Sequence, residues 1–185
     1  MRRFMLAALF LIVPMMASAQ GLSGRRAPSF ALPDHNMKPY DILDYRGRWL
    51  LVDFMKTDCP FCRQLTKTLD GVKGRLGAKV AVLGVVVIPE NTQTVGKYIL
   101  ETKTTTPIVF DSGQTAMWYF KATPQNPAFD TPHLFAINPQ GMIVRDWNQS
   151  EVSAPGFASA LEGLIGSAAL SPAASPAASP AAAKK

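Results

Sequence analysis

The sequence predicts an α/β domain in which a central mixed β-sheet is flanked by helices on both faces. Three observations carry this reading. Two apolar runs dense in strand formers, Trp49–Met55 and Lys79–Ile88, read as strands covered on both sides, which is the habit of parallel pairing. Segments with apolar residues at helical spacing alternate with them. Two late strand-like runs are joined by Pro139-Gln140-Gly141, a hairpin signal that brings antiparallel pairing into the same sheet.

The chain opens with Arg2 and Arg3, an apolar run from Phe4 to Val13, and Ala17-Ser18-Ala19 before Gln20. Residues 1–19 therefore read as a secretory signal peptide cleaved after Ala19. The apolar run is too short to span a bilayer, which takes about 20 residues, so no stable membrane insertion is expected after cleavage. The expected location is the periplasm, where disulfides persist. Removing Arg2 and Arg3 lowers the formal net charge by two, from +6 to +4. The remaining Lys and Arg form no stripe, which argues against nucleic acid as a partner.

Residues 20–168 supply enough chain for one domain with its own core. Ala27–Asp34 alternates and is closed by Pro33, so it is expected as an N-terminal edge strand extending the sheet. Tyr40–Arg48 reads as a turn into the Trp49–Met55 strand. After it, Leu65, Leu69, Val72 and Leu76 recur at helical spacing, with Gly71, Gly74 and Gly77 weakening the second half of that helix. Pro89 stops the second buried strand. Asn91–Lys103 reads as a helix with Val95, Tyr98 and Ile99 inward, and Thr106–Asp111 as a third strand. Gln114–Lys121 is expected as a short amphipathic helix carrying Met117, Trp118 and Phe120. A proline-punctuated loop, Thr123–Pro132, leads to the strands His133–Asn138 and Met142–Trp147. Ala154–Ala168 closes the domain as a helix with the stripe Phe157, Leu161, Leu164 and Ile165. Residues 169–185 repeat Ser-Pro-Ala-Ala, which neither holds a helix nor buries apolar surface, and are expected to be a disordered tail.

The chemistry sits where the first buried strand hands over to its helix, at Cys59-Pro60-Phe61-Cys62, the only two cysteines in the sequence. Two thiols at this spacing form a dithiol/disulfide switch. The first N–H groups of a helix lack intrahelical partners and carry partial positive charge, so a thiolate there is stabilised and Cys59 is the expected nucleophile. Pro60 suits the first helical position. Cys62, a turn further in, suits the thiol that resolves a mixed disulfide. A purely structural bridge would close so small a loop that it contributes only roughly 2 kcal/mol. A zinc site needs four ligands, and only His35 and His133 are available to join the thiols. No metal is therefore assigned.

The ordered set of Ala27-Pro28-Ser29-Phe30-Ala31-Leu32-Pro33-Asp34, the Gly47–Phe54 strand, Cys-Pro-Phe-Cys and Thr131-Pro132-His133-Leu134-Phe135 resembles the thioredoxin-like superfamily. Within it the match is to exported TlpA/ResA-type thiol–disulfide oxidoreductases, over about Arg26 to Ile165. The resemblance implies a thioredoxin-like fold and disulfide exchange with protein thiols and disulfides in the periplasm. It implies no bound cofactor beyond the redox-active Cys59–Cys62 pair. A reducing role of the cytochrome c maturation type, fed by a membrane electron donor, is the commonest assignment in that family. Residue by residue, Pro132 falls at the superfamily's cis-proline and Thr131 at the residue whose backbone pairs with a bound peptide. Pro60 and Phe61 fall beside the partner; His133, directly after the proline, is expected to contact a partner, to raise the thiolate fraction or simply to pack in the core. Asp53, six residues before Cys59, falls at the place of a buried acid; a carboxylate among apolar strand residues should be hard to ionise and able to exchange a proton with Cys62.

Three positions depart from the family pattern. Asp58 stands where Trp usually precedes the first cysteine, and is a candidate helix N-cap. Leu65 stands where ResA-type members carry Glu, and His133 where Thr is commoner. Two rival functions follow from the same residues. A peroxiredoxin-like thiol peroxidase would carry Thr three residues before its cysteine, where Lys56 stands, and a later Arg, yet none occurs between Arg75 and Arg145. A Cu(I)-binding chaperone would use Cys59, Cys62 and His133, because soft thiolates favour Cu(I).

Overall fold

The computed structural model describes residues 21–127 and 129–167; the expected signal at 1–19 and tail at 169–185 lie outside them. In chain order the elements are β1 (Arg25–Arg26), β2 (Ala31–Pro33), β3 (Pro39–Asp41), β4 (Trp49–Met55), α1 (Pro60–Leu76), β5 (Val80–Val87) and α2 (Thr92–Thr102). They continue with β6 (Ile108–Asp111), α3 (Gln114–Phe120), β7 (His133–Ile137), β8 (Met142–Trp147), α4 (Gln149–Val152) and α5 (Phe157–Ser167). The main sheet has the order β1-β8-β7-β4-β5-β6. β4, β5 and β6 run parallel, and β7 joins them antiparallel to β4. This is the mixed, two-sided sheet expected.

Every residue of β4 is buried. Alternation along the strand divides its side chains between two cores. Leu50, Val52 and Phe54 pack with Phe30, Tyr119 and Phe135, while Trp49 and Leu51 pack with Leu65, Leu69 and Val72 of α1 and Leu161 of α5. Met55 joins Cys62, Val95 and Tyr98 in a third cluster under α2. Asp53 shares the parity of Leu51 and Met55 and so faces α1. Each fully buried leucine contributes about 1.5–3 kcal/mol, which is what fixes α1 on the sheet.

The N-terminal segment corrects the expectation of one edge strand over Ala27–Asp34. The edge is β1, paired with β8, while β2 and β3 form a separate two-stranded ribbon. The Asp34 carboxylate accepts the N–H groups of Asn36 and Lys38 at 2.8 and 3.0 Å, folding the chain back at Pro33 instead of extending it. α1 runs unbroken through Gly71 and Gly74 and ends at Gly77, whose φ of 57° few other residues adopt. Glycines inside a helix cost about 1 kcal/mol each, less than the buried stripe supplies.

Of the three apolar residues expected to mark α3, only Phe120 packs against the core. The helix buries Thr115, Ala116 and Tyr119 and leaves Met117 and Trp118 about half exposed. The Asp111 carboxylate accepts the N–H groups of Thr115 and Ala116 at 3.1 and 2.8 Å, and this sets the rotation of the helix. The last helix expected over Ala154–Ala168 is α5, beginning at Phe157, and a short helix that was not expected, α4, precedes it. Asn148 and Glu151 cap the four-residue α4 reciprocally, and Gly156, at φ 81°, turns the chain into α5. Among the described residues no helix is long and apolar enough to cross a membrane.

Candidate active site

β4 delivers the chain to Lys56-Thr57-Asp58 and then to the first turn of α1. Cys59 itself is the N-cap: its backbone is extended, and its Sγ accepts the Cys62 N–H at 3.2 Å. Asp58, the candidate cap from sequence, is exposed and does not fill that role. Pro60 occupies the first helical position, where the N–H it lacks is not needed. Cys59 is partly exposed and Cys62 fully buried. Burial, then the hydrogen bond with Cys59, hold the Cys62 thiol well above its ordinary pKa; a backbone hydrogen bond with Lys56 opposes this, and the charges of Asp53 and Cys59 add to it. The outer sulfur is thus the accessible one and the inner sulfur keeps its proton.

Asp53 lies behind the pair, 2% exposed. It is flanked in register by Gly84 of β5 and Leu134 of β7. Desolvation alone pushes its carboxyl up to about 8, and its Oδ1 has no hydrogen-bond partner. The group that faces α1 from the central strand is therefore an acid that burial holds far above the ordinary carboxylate range.

The loop before Cys59 is held from two sides. The Glu90 carboxylate accepts the Thr57 N–H and the Thr57 hydroxyl, both at 2.7 Å. Arg63 donates to the Thr57 carbonyl at 3.1 Å, lies over the Tyr98 ring and pairs with Glu101 at 2.6 Å. Burial pushes the Glu90 carboxyl up, but bonds from Thr94 and Thr57 outweigh it and hold the group below its usual value. Sequence reading missed Glu90, because no local pattern links it to a residue 33 positions earlier.

The Thr131–Pro132 bond is cis and leads directly into β7; a second cis bond, Ile88–Pro89, precedes Glu90. Thr131 and Asp58 line a common cleft of about 420 Å³ with Phe54, Val87, Pro89 and Phe129. Pro60 and Phe61 stand exposed beside Cys59. His133 is turned inward. Its ring meets Phe120 and Phe135, its Nε2 is 3.0 Å from Asp146 Oδ2, and Ser23 donates to the other oxygen of that carboxylate. The structure thus gathers Cys59, Cys62, Asp53, Pro60, Phe61 and Thr131 around one sheet end and points the His133 side chain elsewhere. Among the described residues no three His, Cys, Asp or Glu side chains converge as metal ligands.

Residues 23–146 match the model of the AhpC/TSA family. The chain is 23% identical to the thiol-disulfide oxidoreductase ResA of Bacillus subtilis over 122 residues, 66% of this chain, and spans 65% of the length of that relative. Among solved structures it superposes on a candidate thiol:disulfide interchange protein DsbE from Chlorobium tepidum with a TM-score of 0.67. That pair is 24% identical and covers 79% of this chain and 96% of the other. It also superposes on the bacterioferritin comigratory protein of Xanthomonas campestris, an alkyl peroxide reducer, with a TM-score of 0.61. There the identity is 16%, over 76% of this chain and 92% of the other. At these identities the structural likeness establishes the thioredoxin-like fold.

Proposed function

This chain belongs to the AhpC/TSA family, and we propose that within it the protein works as a thiol–disulfide oxidoreductase acting on protein partners. The observation that carries this reading is the unequal pair at the start of α1, with an accessible Cys59 sulfur over a buried, proton-bearing Cys62.

In the reducing direction the Cys59 thiolate attacks one sulfur of a partner disulfide. A Cys59–partner disulfide forms and the second partner sulfur leaves as thiolate. Cys62 then gives its proton to the Asp53 carboxylate and attacks the Cys59 sulfur. The Cys59–Cys62 bond forms, the first partner sulfur leaves, and two electrons have passed to the partner. Thr131, Pro132 and Phe61 would form the partner-facing surface around Cys59. The signal-like residues 1–19 support a periplasmic setting, with a membrane electron donor restoring the dithiol and a reducing role of the cytochrome c maturation type. Of the rivals, a peroxidase is disfavoured by Lys56 three residues before Cys59, and a copper site by the commitment of His133 to Asp146.

The test uses a peptide containing one disulfide. The wild-type dithiol protein should release two peptide thiols per molecule, Cys59→Ser none, and Cys62→Ser should stall as a mixed disulfide on Cys59 visible by intact mass. Failure of Cys62→Ser to accumulate that adduct would remove the exchange mechanism, and robust peroxide turnover with a thiol donor would favour the peroxidase instead.

A further inference from the structure

The end of the sheet away from Cys59 carries a different chemistry. β4 and β5 start there, the 138–141 hairpin turns there, and α1 and α2 finish there. Arg26, Arg46, Arg48, Lys79 and Lys103 are all exposed at this end. They form no stripe in the sequence; the fold gathers them. Arg26 stands opposite Met142 in register, beside the hairpin. Arg46 donates to the Gln140 carbonyl, and the Gly47 N–H donates to the Pro139 carbonyl at 3.1 Å, so the 46–48 turn is tied to the same hairpin. Arg48 lies over the Tyr45 ring at 4.9 Å. Lys79 precedes Val80, the register partner of Trp49, and Lys103 closes α2. Among the described residues no carboxylate pairs with any of these five; Asp70 and Glu162 are taken by Lys73 and Arg75. Two acids oppose them: Asp44, which is exposed, and Asp41, which accepts the Leu43 N–H at 2.8 Å. Leu43 itself is half exposed and shares a shallow recess with Arg26, Arg46 and Arg48.

Lys79 and Lys103 complement the negative ends of two helices. Arg26, Arg46 and Arg48 end no α-helix, so that role does not account for them. Nor do the five converge on one small anion. They spread along a sheet end six strands wide, roughly 24 Å at the usual strand spacing. Unpaired cations spread that widely are complementary to a surface of repeating negative charge. We propose that this end is a docking face for an anionic lipid surface, on which the protein rests without inserting. Leu43 meets the headgroup layer there. The seven residues of β4 hold Cys59 about 23 Å from that surface. The opposite end presents Asp58 and Asp130 against Lys56, all exposed, and has no net attraction to the lipid. The sulfur pair thus faces away from the membrane, open to partners. Docking of this kind does not depend on what Cys59 reacts with.

Vesicle sedimentation tests this with the chain from Gln20 onward, which keeps every described residue. The vesicles are phosphatidylcholine alone or phosphatidylcholine mixed with phosphatidylglycerol. Binding should require phosphatidylglycerol and disappear at high salt. Each basic residue near an anionic surface strengthens binding about fivefold. Arg26→Gln, Arg46→Gln and Arg48→Gln together should therefore weaken it by more than about tenfold. Lys67→Gln, Lys97→Gln and Arg145→Gln remove the same charge elsewhere and should weaken it by less than about threefold. Thermal unfolding checks that both triple variants fold; if the first does not, Arg26→Gln with Arg48→Gln repeats the test and leaves Arg46 on the hairpin. Equal weakening by the two sets reduces the effect to net charge and overturns the docking face. Equal binding to both kinds of vesicle, or binding to neither, also overturns it. Binding to polyglutamate but not to vesicles overturns the lipid and assigns the face to an acidic protein.

Discussion

Replacing Asp53 with Asn should stabilise the reduced protein by an amount that grows with pH. In the unfolded chain this carboxyl ionises near its ordinary value of 3.8, while in the fold burial holds it up to about 8. Below about pH 4 it is protonated in both states and carries no penalty. As pH rises further the unfolded chain gives up a proton that the folded chain keeps. Wild-type stability then falls by up to about 1.4 kcal/mol per pH unit, and stops falling once the folded carboxyl ionises too. Near pH 7 the accumulated loss is on the order of 4 kcal/mol. The variant escapes it, but its buried amide lacks partners, at a cost of about 1–3 kcal/mol. The net gain is therefore about 1–3 kcal/mol at pH 7 and close to nil at pH 5. Urea unfolding of both dithiol proteins at pH 5, 6, 7 and 8 reads the difference directly. A stability gap that does not widen between pH 5 and pH 8 would refute the argument that burial governs Asp53.

Two further perturbations separate loop anchoring from helix orientation. Glu90→Gln weakens the two bonds that hold Thr57, so stability should drop by about 1–3 kcal/mol at neutral pH. Because the bonds from Thr94 and Thr57 together hold the Glu90 carboxyl low despite its burial, the wild-type advantage is present above the ordinary carboxylate range and lost as pH falls through the folded value; thermal unfolding on the acid side measures it. On α3, Trp118→Ser should stay within about 0.5 kcal/mol of wild type, while Tyr119→Ala, which empties an aromatic cluster, should cost about 3–5 kcal/mol. Comparable losses at the two positions in denaturant titration would contradict the observed face of that helix.

The sequence carries the sheet because its strands are chemically one-sided cases. Trp49–Met55 and Val80–Val87 hold almost nothing polar, and Gly141, at φ 80°, makes the hairpin legible. The sulfur pair was equally legible, since strand, proline and spacing converge on it. What escaped depends on contacts distant along the chain. Trp118 is the more apolar residue, yet Tyr119 is the one inside, because Asp111 rotates α3 and the Tyr119 hydroxyl reaches the Pro28 carbonyl at 3.2 Å. His133 reads equally as a partner contact and as a packed histidine, and Asp146, thirteen positions away, decides for the second. The α4 cap, by contrast, was open to reading, as Asn148 and Glu151 stand at the spacing of a capping box.

The atom that begins α1 is also the atom that reacts. Since the Cys59 sulfur receives the Cys62 amide, every change in its bonding is felt at once by the first turn above it. An electron-rich sulfur grips that amide, and one tied into a disulfide has less charge to offer. Order at the tip of α1 therefore tracks the oxidation state, and hydrogen exchange at the Cys62 amide becomes a reporter of electron flow that needs no added label.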